Sequence, residues 1–360
     1  YGISSRLSIS CLASSKNYMR TLEKLDLIQF ARGIAAVAVA VFHTIGGQRY
    51  VEPDYMIFAG FDGSWGVDLF FVISGFIMVY INQEGASGVK NARSFFYRRV
   101  ARVVPLYWFY TAITVLVLYC LGLQLPTITR LLTSLFFIPD GFPVLLLGWT
   151  LNYELYFYVV FSLALLFPQR HRLWLLTGWF FITCLPGAIQ HPLQKYWDFT
   201  DITFYSNPIV LEFLMGIYIA HFYLSGKILA KWASYILILG SFTAIFLASA
   251  YFGDMEKYRA YFWGIPAAAI IYGFLSIQYH GVSSPVFMKH LGDASYSIYL
   301  CHLPIFVVLS QGWGLLGIGG YLANASYLVV TLVVIYYVAN ASYRYIELPA
   351  QRWLNRLAPR

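Results

Sequence analysis

Charged side chains are scarce in this sequence. Asp, Glu, Lys and Arg make up 11% of its 360 residues, against about a quarter in an ordinary soluble domain, which excludes a chain solvated mainly by water. Cysteine is sparse as well. Cys11, Cys120, Cys184 and Cys301 are scattered and form no CxxC pair, and three of these four lie within apolar segments. A disulfide framework and a zinc site are therefore not expected, and no other metal centre is indicated. An internal repeat with a period of roughly 20–50 residues is also missing, and the polar connections reach only about 15–20 residues, so one helical bundle is the economical reading. No secretory signal fits, because the first apolar segment is too long and no small-residue cleavage site follows it.

Apolar residues fill the space the charges leave, at 59% of the chain. Stretches of 18 or more apolar residues recur along its whole length, each long enough to cross a hydrocarbon core of about 30 Å as a helix. The expected fold is an all-α integral membrane protein, a single bundle of about ten spans. They fall at 26–45, 66–83, 103–122, 144–167, 172–190, 205–224, 233–251, 258–279, 294–311 and 322–345. With a cytoplasmic N-terminus the even-numbered connections and the C-terminus are also cytoplasmic, and the basic residues then divide 18 inside against 5 outside, with Arg32 inside the first span. The outer five are Arg49, Arg130, Lys195, Lys257 and Arg259. The positive-inside rule favours this orientation. It also explains the net charge of +8 without nucleic acid, since the cations alternate with spans and form no patch.

The remaining segments are short. Residues 1–24 read as a cytoplasmic tail whose first 18 residues, polar and Ser-rich, are expected not to be native, with Met19 as the natural start. Residues 25–348 form the membrane domain and 349–360 a cytoplasmic tail. Pro126, Pro139 and Pro143 bracket an apolar run from Leu131 to Ile138 that is too short to span, so 124–143 is expected as an outer or re-entrant helix.

Ionisable groups at membrane depth cost roughly 2.5–3.5 kcal/mol each on insertion scales, so they mark where function resides. They are Arg32, His43, Asp68, Glu154, Glu212 and His302. Arg32 and His43 are eleven residues apart, about 20° short of or past whole turns and about 16 Å along the axis, so they share a face. Either one groove touches both, or Arg32 snorkels or pairs with a carboxylate while His43 sits at the interface. Asp68 enters the membrane on the side where His43 leaves it. In an antiparallel hairpin it would meet the imidazole and set its tautomer; the alternative is a helix cap. Ser74 and Gly75 in the same aromatic segment permit close backbone approach.

Arg99 and Arg102, at i and i+3 in the loop before the third span, fall on one helical face where guanidinium groups suit phosphates; the alternative is a topology signal alone. Trp149-Thr150-Leu151-Asn152-Tyr153-Glu154 carries a carboxylate deep into the fourth span, either as a partner of Arg32 or as a substrate-orienting group. His302, just before Pro304, is expected to bond within the kink that the proline makes.

Taken together these motifs resemble the acyltransferase-3 family of bacterial membrane O-acyltransferases. The resemblance rests on Arg32 to His43, Gly66-Val67-Asp68 through Ser74-Gly75-Phe76, Arg99 to Arg102, Trp149 to Glu154, Ser295 to Pro304 and Glu347 to Pro349. Residues 28–36 look most like the exopolysaccharide-modifying branch. The resemblance implies transfer of an acyl group, usually acetyl, from cytoplasmic acyl-CoA to a hydroxyl of an envelope glycan such as exopolysaccharide, O-antigen or a lipid-linked precursor.

On that reading His43, Asp68 and Glu154 are the catalytic set. Arg32, Arg99, Arg102, Ser74, Trp149 and His302 contact acyl-CoA or substrate, acyl-CoA is a co-substrate with no permanently bound cofactor, and the location is the bacterial inner membrane. Some family members carry an appended SGNH hydrolase-like domain; none is expected within this chain, which puts the chemistry in the bundle or on a partner. A glycan or lipid transporter is the competing class. No matching half-repeats with Gly/Pro breaks support it.

Overall fold

In lipid the backbone has no water to bond, so an apolar chain of this length must satisfy its amides within helices. The computed structural model describes residues 25–83, 87–190, 202–251 and 258–359, and among them there is helix and no strand. The expected N-terminal tail with Met19, together with Lys195, Lys257 and Arg360, lies outside the described residues.

The helices are α1 (Asp26–Gly47), α2 (Gly66–Ile81), α3 (Val89–Cys120), α4 (Ile128–Leu135), α5 (Gly148–Ala164), α6 (Gln169–Gln190) and α7 (Leu211–Leu224). They continue as α8 (Lys231–Tyr251), α9 (Ile265–Tyr279), α10 (Val286–Asp293), α11 (Ser295–Trp313), α12 (Gly320–Ser342) and α13 (Leu348–Arg356). Each expected span coincides with one of them. Among the described residues six helical stretches are long and apolar enough to cross a bilayer: Asp26–Tyr50, Val89–Cys120, Lys231–Tyr251, Ala260–Tyr279, Ser295–Leu316 and Gly320–Arg356. Gly66–Ile81 and Pro208–Leu224 are apolar but shorter. Large exposed side chains such as Phe181, Ile236, Leu239 and Val329 give these helices an outer surface suited to lipid. The protein is a multi-pass membrane protein.

Three boundaries differ from the sequence reading. The third span starts at Val89, so Arg99 and Arg102 sit on a continuous helix that contains Pro105 rather than in a loop. Segment 124–143 contains only the eight-residue α4, capped by Thr127 accepting from the Arg130 N–H and tied to α3 by Tyr107 Oη to Ser134 Oγ at 2.7 Å. The expected C-terminal tail is mostly α13, which the Tyr97 hydroxyl holds by donating to the Leu354 carbonyl at 3.1 Å.

Small residues let α1, α2 and α7 approach one another without space for a methyl group. A Cβ on Gly66 would stand 2.4 Å from the Ala35 carbonyl oxygen, and one on Gly75 would stand 2.0 Å from that of Phe213. Both are backbone contacts that cannot rotate away. Gly75→Ala is therefore expected to cost at least about 1–3 kcal/mol through forced separation of α2 and α7. A lowered unfolding temperature in detergent, read by intrinsic fluorescence, checks this.

Candidate active site

The interhelical packing leaves a cavity of about 280 Å³ lined by α1, α2, α3, α5 and α11. Along α2 its lining runs from Ile81 to Val67, fourteen residues or about 21 Å of helix. One end is half-buried and carries Leu25, Gln29, Arg32, Arg99 and Arg102; at the other Val67, Thr150 and Tyr299 are buried. The i, i+3 placement expected from sequence does bring Arg99 and Arg102 to this one surface, and Arg32 joins them from α1.

The guanidiniums of this end are only partly satisfied. Arg32 donates to the Gln29 side-chain oxygen at 2.9 Å, the Arg99 guanidinium lies 5.7 Å over the Phe95 ring, and Arg99 Nε is buried without a hydrogen-bond partner among the described residues. Arg259–Asp68 and Lys289–Asp26 are ion-paired, and none of the three arginines is in a salt bridge among the described residues. Glu154 is the carboxylate in the lining, and it accepts from Ser74 Oγ at 3.2 Å and from the Tyr158 hydroxyl. Of the two roles open for Glu154, a salt bridge to Arg32 is not formed. Glu347 and Asp293 as well as Glu154 lie near enough to act on Arg32, yet the three guanidiniums stay free of salt bridges in a partly desolvated space and so offer hydrogen-bond donors to a polyanion.

Above the buried end lies a histidine pair. His43 Nδ1 is 3.2 Å from His302 Nε2, with the rings 5.0 Å apart between centroids. Each ring also has a carbonyl in its own helix: His43 Nδ1 is 3.0 Å from the Val39 oxygen and His302 Nδ1 is 3.2 Å from that of Ile298. Carbonyl oxygens only accept, so both Nδ1 atoms carry the hydrogen. The single Nδ1 hydrogen of His43 is then shared between the Val39 carbonyl and His302 Nε2, and His43 Nε2 is left as the basic nitrogen. His302 does bond within its own helix, but to Ile298, ahead of the Leu300 carbonyl that Pro304 leaves free, and its other partner is His43.

Asp68 does not meet His43. It is fully buried and accepts three hydrogen bonds from Arg259, at 3.0, 3.0 and 2.7 Å, while Arg259 Nη2 also donates to the Ser64 carbonyl at 2.6 Å. The reason is axial. Gly63 abuts Ala38 and Gly66 abuts Ala35, so the connection after α1 folds back into the bundle and α2 begins eight residues, about 12 Å, short of the His43 level. Arg259, expected as an outer-loop cation, is buried, and its guanidinium lies 5.8 Å over Trp149 and 4.9 Å over Trp263. Trp149 thus packs on the ion pair and is not part of the cavity lining. Glu212 is buried nearby against Gly264.

Asp68→Asn should therefore destabilise the fold by about 3–5 kcal/mol, the usual cost of leaving one buried partner unpaired. Asp68→Asn with Arg259→Met should recover part of that loss. The yield of monodisperse protein on size-exclusion chromatography reports both.

The family model for the acyltransferase domain matches residues 25–340. The chain belongs to the acyltransferase-3 family. Its matched region contains the cavity, the histidine pair and the Asp68–Arg259 bridge. The acyltransferase-3 domain here is 33% identical over 306 residues to the exopolysaccharide production protein ExoZ of Rhizobium meliloti (strain 1021), covering 81% of this chain and 90% of that protein. It is 24% identical over 386 residues to the acyltransferase MdmB of Streptomyces mycarofaciens, covering 93% of this chain and 94% of that one. No solved structure matches. Beyond the matched region, Glu347 of the Glu-Leu-Pro sequence accepts from Ser297 Oγ at 2.7 Å, which fastens α11 to the chain that follows α12.

Proposed function

We propose that this acyltransferase-3 domain moves an acyl group, acetyl in the simplest case, from acyl-CoA to a hydroxyl of an envelope polysaccharide or its lipid-linked precursor. The observation that carries the donor assignment is the set of three guanidiniums, Arg32, Arg99 and Arg102, lining one cavity without a carboxylate in salt bridge to any of them. CoA fits this chemistry. Its phosphates are the polyanion, and its thin apolar-to-polar arm suits a channel walled by Ile73, Ile77, Ser74 and Tyr296. The similarity to a protein named for exopolysaccharide production supports a polysaccharide acceptor.

The chemistry follows from the tautomers. His43 Nε2 removes the proton of the acceptor hydroxyl, the hydroxyl oxygen bonds to the thioester carbon, and the carbon–sulfur bond breaks. The CoA thiolate leaves and takes the proton back from His43. His302 and the Val39 carbonyl support the transient imidazolium by sharing its Nδ1 hydrogen, the role that the sequence reading offers to Asp68. Glu154, held by Ser74 and Tyr158, orients the arm midway. Radiolabelled acetyl-CoA supplied to inside-out vesicles should label the polysaccharide fraction. A transporter would leave the acetyl-CoA intact, and that result would overturn the reading.

The vectorial part of the proposal is a bundle of ten spans in the bacterial inner membrane, with both termini and the arginine end of the cavity in the cytoplasm. The 18-to-5 division of basic residues supports it, although Arg259 is better counted as a buried ion-pair member than as a loop cation. Asn91→Cys should be protected from a membrane-impermeant thiol reagent in intact cells while Asp54→Cys is labelled. The reverse pattern would exclude a cytoplasmic donor.

A further inference from the structure

Between the cavity and the histidine pair stands one tyrosine. Tyr299 lies three residues before His302 on α11, so the two share a helical face. Its ring lines the buried end of the cavity, 6.1 Å from the His302 ring and edge-on to Phe70 at 5.8 Å. Neither His43 nor His302 is among the residues that line the cavity. Any group travelling along α2 from the arginine end therefore meets Tyr299 before it meets His43.

The ring is held in place by one hydrogen bond. Tyr299 Oη is 2.8 Å from Thr150 Oγ1, and the Thr150 hydroxyl already donates to the Leu147 carbonyl at 2.9 Å. Tyr299 is then the donor and Thr150 the acceptor, which joins α11 to α5 across the end of the cavity. Both residues are buried. A single neutral hydrogen bond is cheap to break, so the ring can turn aside, yet it is enough to fix one rotamer while nothing pushes on it.

We infer that Tyr299, latched by Thr150, is a positioning residue that separates the donor thioester from the histidine side until the acyl arm displaces it; this rests on reading the cavity as the acyl-CoA site. The consequence is coupling. With the ring in place, water arriving from the His43 side cannot reach the thioester, and CoA is released only when an acceptor takes the acyl group.

Two measurements on the full chain test this. In the first, Ser74→Cys is introduced with Cys11, Cys120, Cys184 and Cys301 replaced by serine, and vesicles are treated from each side with a membrane-impermeant methanethiosulfonate. Ser74 lines the cavity, so labelling from the arginine side alone is expected, and adding Tyr299→Ala should open it to the histidine side. In the second, CoA released from acetyl-CoA without acceptor should rise about tenfold or more in Tyr299→Ala and less in Thr150→Val, which keeps the ring and loses the latch.

Labelling of Ser74→Cys from the histidine side with Tyr299 intact would overturn the inference, as would unchanged labelling and unchanged CoA release in the variants. Should Tyr299→Ala not fold, Thr150→Val carries both comparisons. Should the wild type leave acetyl-CoA unconsumed while cysteine sidedness still follows Tyr299, the acyl-CoA reading fails and the partition stands.

Discussion

His43→Ala is expected to lower acyl transfer by about 10²–10⁴-fold while leaving the protein folded and inserted, the range typical for loss of a positioned general base. His43 is half-buried near the end of α1, and its side-chain contacts, to His302 and the Phe42 ring, include no ion pair, so its removal leaves no buried charge behind. His43→Gln separates base from hydrogen-bonding group. Glutamine can still donate and accept but cannot take up a proton near neutral pH, so a base mechanism requires it to be nearly as inactive as alanine. His302 provides the second comparison. His302→Gln keeps an acceptor close to the position of Nε2 and should retain more activity than His302→Leu, which removes the acceptor at similar volume. Near-normal turnover in His43→Gln with normal expression would reduce the pair to packing, with Glu154 the next candidate base.

How much of this was legible in the sequence depends on the distance along the chain over which each feature acts. Apolar segments of span length are local, and every one of the ten coincides with a helix. The pairing of Arg99 and Arg102 is also local, because an i, i+3 spacing fixes a shared face whether the flanking chain is loop or helix. The identity of a side chain's tertiary partner is not. His43 and His302 are 259 residues apart and Asp68 and Arg259 are 191 apart, and no pattern in a single sequence links either pair.

The error at Asp68 has a definite cause. A meeting of Asp68 and His43 requires a hairpin with both helix ends at one level, whereas Gly63 and Gly66 allow the chain to fold back along α1 before α2 starts. The error at Arg259 has another: counting cations by compartment treats every arginine near a span end as solvated, and Arg259 is buried between two tryptophans and a carboxylate. Thr150 and Tyr299 fall inside the motif segments but receive no role there, because uncharged hydroxyls carry no insertion penalty to single them out.

Arg99→Ala combined with Arg102→Ala is expected to weaken acyl-CoA binding by about 10²–10⁴-fold, since each lost charge-assisted contact to phosphate contributes roughly 1.5–3 kcal/mol. The effect should appear in KM for acyl-CoA and not in KM for the acceptor, because both arginines line the cavity end remote from His43. Lysine replacements discriminate further. Lys keeps the charge and loses the planar fork, so Arg99→Lys and Arg102→Lys should rescue part of the affinity if the partner is phosphate, and all of it if only the field matters. The desolvation around Arg99 sharpens the prediction: its Nε has no hydrogen-bond partner among the described residues, so acyl-CoA binding to the wild type should also raise thermal stability, and that rise should vanish in the double variant. Equal KM for acyl-CoA in wild type and double variant would leave these arginines as topology signals and remove the donor site from this cavity.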